Sequence, residues 1–137
     1  MPINIWMQNT TLDNLSGGWV PATDMTQVFS GTLDFPIGIN EIMIDLDEPF
    51  IYEGQNLIVF VERVMDTVYY STGDTFYYTD TQYTDRCLWA QSDSDDYDPY
   101  NPPTTINYLS SNPNTMMFIN TTGLGQMAGY AYNTDNN

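Results

Sequence analysis

"NEIMIDL", residues 40–46, alternates without a break: Ile42, Ile44 and Leu46 fall on one side, Glu41, Met43 and Asp45 on the other. A period of two is the period of a β-strand, and one apolar side against one largely polar side describes a strand with a single wet face. Working outward, "NLIVFVERV" (56–64) is apolar on both sides through 57–61, which predicts the most central strand of a sheet. Further short runs rich in β-branched and aromatic residues occur at "INIWM" (3–7), "TQVFSGTLDF" (26–35), "TVYYS" (67–71), "TFYYT" (75–79), "RCLWAQ" (86–91) and "NTMMFINT" (114–121). Turn formers separate them: Gly17-Gly18, Pro36-Ile37-Gly38, Glu53-Gly54, Thr72-Gly73-Asp74 and Asn112-Pro113-Asn114. Short strands spaced in this way spell an all-β chain of sandwich or barrel type. The one helical stretch expected is a single turn at "LDNLSGG" (12–18), capped by Thr11 or Asp13 and stopped by Gly17.

With 137 residues and 42% hydrophobic content, the chain holds one domain with one core. Composition shifts only near the end, where "TTGLGQMAGYAYNTDNN" (121–137) becomes rich in Gly, Asn and Thr. The expected division is therefore a β module over 1–122 and a tail or linker over 123–137. Eighteen acidic residues face only Arg63 and Arg86, a formal net charge of −16. Nucleic acid and anionic membrane surfaces are thereby disfavoured as partners, since both need clustered Lys or Arg. No run of about 20 apolar residues reads as a membrane span, and Met1-Pro2-Ile3-Asn4 does not open like a signal peptide.

The chain contains no histidine and no lysine, which removes the base that titrates near neutrality, the Schiff-base amine and the usual zinc ligand. Carboxylate chemistry and oxygen-lined cation sites are what remain. Cys87, the only cysteine, stands beside Leu88 and Trp89 and reads as a small apolar core residue. "SDSDDYDPYNPP" (92–103) is the densest acidic stretch. Its first reading is a solvated turn built from Asx and proline geometry. The second is a Ca²⁺ site using Asp93, Asp95 and Asp98, completed by Asp96 or a backbone carbonyl, although Asp98 holds the position where an EF-hand turn needs glycine. A glycosidase pair ranks last, because such carboxylates face each other across a cleft. "DLDEPF" (45–50) alternates Asp45 and Asp47 with Leu46 and reads as an exposed acidic face. Arg63 and Arg86 read as structural ion pairs. In "VYYSTGDTFYYT" (68–79) the rings of Tyr69, Tyr70, Tyr77 and Tyr78 lie on adjacent strands of a hairpin, a candidate platform for stacking on sugars, with packing filler as the plainer reading.

The order of the segments "PINIWM", "GWVPATDMTQVFSG", "FPIGINEI", "PFIYEGQNLIVFV" and "MDTVYYS", followed by an arginine and then "SD" and "YDP", resembles a β-sandwich module of large secreted and surface proteins of Bacteroidota and allied bacteria. Those proteins typically use type IX secretion, and the likeness covers roughly residues 1 to 120. It implies an extracellular, non-catalytic, antiparallel and jelly-roll-like sandwich with no catalytic residues to transfer. It also makes Asp66-Thr67-Val68 a short O-glycan acceptor motif with Thr67 as acceptor. The family usually carries lysine and less acid, so the charge is a departure. A further departure is that the family has one or more strands ahead of the position of Met1, which implies a sheet edge completed from elsewhere. The alternating "GQMAGYAY" (125–132) is the expected donor, to a neighbouring copy or an adjacent domain.

The sequence thus leads to a non-enzymatic extracellular module with a structural, adhesive or assembly role, needing no cofactor, with Ca²⁺ as the one candidate ion. The rival is a carbohydrate-binding module that uses the Tyr-rich hairpin.

Overall fold

The computed structural model describes residues 1–66, 77–80, 85–108, 111–113, 115–119 and 127–131. The chain is all-β, with antiparallel pairing throughout the named strands and one short 3-10 turn at Ala22–Asp24. Strands β1 (Pro2–Thr10), β2 (Thr26–Thr32), β3 (Ile42–Asp45) and β4 (Asn56–Arg63) come from the first half. Strands β5 (Tyr78–Asp80), β6 (Ser111–Pro113), β7 (Thr115–Ile119) and β8 (Met127–Ala131) follow. They pair as β2-β1-β4, β3-β8-β7 and β5-β6.

The central strand of the best-defined sheet is β1, not the doubly apolar 57–61 stretch, whose strand β4 pairs only with β1 among the described residues. Side-chain use explains the order. Ile3, Ile5 and Met7 are buried on one side of β1 and Trp6 on the other, so both faces of β1 are covered. Their partners across the register, Val61 opposite Ile5 and Val59 opposite Met7, remain exposed. An apolar run shows that both faces of a strand are hydrophobic; it does not show that both are covered.

The core gathers Ile3, Ile5, Met7, Val28 and Phe50, with Leu33, Phe35, Ile44, Leu46, Tyr52 and Leu57 packed against it. Ile44 of β3 and Leu46, the side of "NEIMIDL" expected to face inward, do so. A β-bulge sets how β2 meets this core. Ile5 pairs with Phe29 but the next residue, Trp6, pairs with Gln27, leaving Val28 as the extra residue. Val28 is turned fully inward, at 0% exposure. Three residues on, Gly31 makes room for the Phe29 ring: a Cβ there would lie 2.9 Å from Phe29 Cζ.

Several sequence expectations shift. The 12–18 stretch holds no helix; Gly18 N–H donates to Leu15 O at 2.9 Å and Asn14 Oδ1 accepts from Ser16 N–H at 3.0 Å, a glycine-closed turn with Gly18 at φ +99°. The 86–91 run forms no strand beyond one bridge from Leu88 to Tyr108. Of the tail, Met127–Ala131 is inside a sheet, paired with β3 on one side and β7 on the other. Both of its hydrogen-bonding edges are thus taken within its own chain, rather than offered to a neighbour. The 67–71 run lies outside the described residues.

Candidate functional site

Two surfaces stand out, an aromatic face of the β2-β1-β4 sheet and the loop between β2 and β3. On the Trp6 side, Trp6 meets Phe60 edge-to-face at 5.8 Å and Tyr100 at 6.2 Å, while Trp19 tilts against Phe60 at 5.9 Å. The Trp6–Phe60 contact follows from the ladder, which places the two residues opposite each other. Trp19 is held by its indole N–H, which donates to Thr105 O at 3.1 Å. Backbone bonds from Ala22 N–H to Pro99 O at 3.0 Å and from Leu15 N–H to Asp85 O at 2.6 Å fasten the 85–108 segment over this face. Two residues along, Asn4 donates to Glu62 Oε2 at 2.9 Å across the same pair of strands.

The acidic stretch lies in this covering segment, and its Asp95 and Asp98 carboxylates are engaged in local turns. Ser92 Oγ accepts from the N–H groups of Ser94 at 3.2 Å and Asp95 at 2.9 Å, and donates to Asp95 Oδ2 at 2.9 Å. Asp98 Oδ1 accepts from Tyr100 N–H at 2.9 Å while Asp98 O accepts from Asn101 N–H at 3.0 Å. Asp at the first and Pro at the second position is favoured turn chemistry, and this turn is what sets the Tyr100 ring against Trp6. Among the described residues no group of three His, Cys, Asp or Glu side chains is arranged to hold a metal ion. Asp93, Asp95 and Asp98 are thus close in sequence without converging.

Asp47 shows a role the alternation pattern missed. Its Oδ2 accepts from Ser30 N–H at 2.8 Å, and the Asp47 and Glu48 N–H groups donate to Val28 O at 2.8 and 3.4 Å. The outer edge of β2 is capped by this acidic turn. Arg63 forms the expected ion pair, with Asp66 at 3.5 Å. Cys87 is half-buried, and burial pushes its thiol pKa above the ordinary value. Of the Tyr-rich hairpin, Tyr77 is half-buried and Tyr78 is exposed at 62%, while Tyr69, Tyr70 and Thr67 lie outside the described residues.

The second surface is apolar and unanticipated. The β2–β3 loop carries Ile37 at 105% exposure and Ile39 at 73%. It is not slack: Asn40 Nδ2 donates to Pro36 O at 2.7 Å and to Gly38 O at 2.9 Å, and Gly38 takes φ +102°, which a side chain would resist. One amide thereby clamps the loop beneath two outward isoleucines. The signal in the sequence was "PIGIN" itself, a turn whose non-turn residues are both aliphatic.

Comparison with protein-family models, with curated proteins and with solved structures finds no match. Among the described residues no helix is long and apolar enough to cross a membrane.

Proposed function

We propose that this chain is a non-enzymatic, jelly-roll-like β-sandwich module that works by contact, as a structural, adhesive or assembly element of an extracellular bacterial surface protein or filament. The observation that carries the reading is the clamped loop presenting Ile37 and Ile39. Single exposed aliphatics are ordinary, but two held together on a pre-organised tip reduce the ordering cost of binding. The sandwich is supported by the way Ile44 of β3 packs against the Ile3, Ile5 and Met7 face of another sheet. The surface setting is supported by the likeness of the "PINIWM" to "MDTVYYS" segments to modules of secreted Bacteroidota proteins. A non-enzymatic role fits a chain without His or Lys.

A glycan-binding role has one supporting observation, the exposed ring of Tyr78. The test is direct. Beads bearing the chain are scored for clustering with each other and for retention on protein- and glycan-coated surfaces, and a panel of glycans and peptides is scored for turnover. Clustering or retention without turnover supports the contact reading; retention only on glycan, lost with Tyr78→Ala, moves it to sugar binding. Turnover abolished by one Asp→Asn or Glu→Gln change overturns it.

A further inference from the structure

We propose that residues 15–22 and 85–108 form one cover that lifts off the Trp6 face of the β2-β1-β4 sheet as a unit, gating access to it while the sheet stays folded. The inference stands apart from the contact reading, which concerns the β2–β3 loop, and either can fail without the other.

The seam between the two segments is regular, although it is not a strand pair. Tyr108 Oη donates to Ser16 O at 3.4 Å, a Cβ on Gly18 would lie 3.2 Å from Ile106 Cδ1, and Trp19 Nε1–H donates to Thr105 O at 3.1 Å. Each step forward from Ser16 is matched by a step back from Tyr108, an antiparallel register. Gly18 has to stay bare at this seam, both for its φ of +99° and for the Ile106 side chain seated on it. The other side of 105–108 is taken by Leu88, bridged to Tyr108, and by Trp89, whose N–H donates to Asn107 O at 3.0 Å. Bonds from Leu15 N–H to Asp85 O and from Ala22 N–H to Pro99 O tie the same two segments at further points. The 105–108 stretch thus runs between 16–19 and 88–89, and the two segments hold each other by directional bonds.

The cover meets the sheet differently, through the Tyr100 ring on Trp6 and the Trp19 ring on Phe60. Such ring contacts are weaker than the ladder of backbone bonds that joins β1 to β2 and β4. No residue of 85–108 is buried, and the buried members of 15–22 are the small Gly18 and Ala22. Little apolar area is therefore given up by the cover when it lifts, the condition for opening below the free energy of global unfolding. What opening bares is an aromatic face containing Trp6, which is 3% exposed when the cover is shut. Asp85, at φ +65°, stands at one end of the cover in a conformation that costs a side-chain-bearing residue energy, which opening can release.

Native-state hydrogen exchange, read amide by amide by NMR at low urea, tests the proposal on the whole chain. The Leu15, Ala22 and Trp89 amides, all donors within the cover, should share one opening equilibrium, about tenfold or more above that of the β1 amides. Ile106→Ala should quicken all three together by about tenfold; Gly18→Ala, which strains the same seam from its other side, replaces it if the fold is lost. Val28→Ala, on the opposite face of the sheet, should quicken the β1 amides and leave the three unchanged, because its contacts survive in the open form; Gly31→Ala replaces it if needed. Protection of the three equal to that of β1, or quickening of the three by Val28→Ala, would mean that the cover opens only with the sheet and overturns the inference. A response of Leu15 and Ala22 to Ile106→Ala without one from Trp89 would mean two loops fraying separately, and overturns it as well.

Discussion

Val28→Ala is the sharpest probe of how this chain packs. Val28 is the extra residue of the β2 bulge and is wholly buried among Ile3, Ile5, Met7 and Phe50. Removing two methyl groups at about 0.8 kcal/mol per buried group costs about 1.6 kcal/mol in transfer free energy. Incomplete collapse of the space left behind raises the expected loss to about 2–3 kcal/mol. The control is Val61→Ala, also in a strand of this sheet but 57% exposed, where the loss should be about 0.5 kcal/mol. Urea unfolding followed by tryptophan fluorescence measures both, with Trp6 buried in the sheet as a reporter. If Val28→Ala costs no more than Val61→Ala at equal m-value, Val28 does not point inward. The register shift between Ile5 and Trp6 is then wrong.

Three further outcomes are expected. Gly31→Ala forces a Cβ to 2.9 Å from the Phe29 ring and should cost about 1–2 kcal/mol; in a double-mutant cycle Phe29→Leu should relieve most of the added strain, and simple additivity would place the ring elsewhere. Millimolar Ca²⁺ should raise Tm no more than Mg²⁺ does, because Asp95 and Asp98 are engaged in local turns; a Ca²⁺-specific rise abolished by Asp95→Asn would restore the metal site. Burial holds the Cys87 thiol pKa above its ordinary value, so labelling by iodoacetamide in the native protein should rise with pH at a higher midpoint than in the urea-unfolded chain. The sign for stability follows: the native state keeps the proton more tightly, so this contribution is present below the unfolded pKa and declines as pH rises through the native one. A native midpoint at or below the unfolded one would place Cys87 in contact with water or a cation.

The acidic loop shows how far local chemistry reaches. Its reading as an Asx-proline turn needed only "DPYN", because Asp98 bonds to a backbone group two residues away. That the turn orients Tyr100 onto Trp6, across a sequence separation of more than ninety residues, was invisible in the same letters. Asp47 misled for a related reason. Alternation gives the side on which a carboxylate lies but not whether a strand edge with an N–H in need of an acceptor lies beside it.

What the sequence determined by itself is what depends on a residue and its near neighbours. The period of two in "NEIMIDL", the β-branched runs and the Gly and Pro turns made the chain all-β and located β1 to β4 within a few residues, since side-chain direction and turn preference are local properties. The missing His and Lys fixed the available side-chain chemistry for the same reason. Tertiary structure alone decided which apolar strand is central, that Val28 is the inward residue of a bulge, and that Val59 and Val61 stay open while Ile5 and Met7 opposite them are closed. Pairing order and coverage are set by which distant segments share a face, and hydrophobicity, being non-directional, favours burial without naming the partner that provides it.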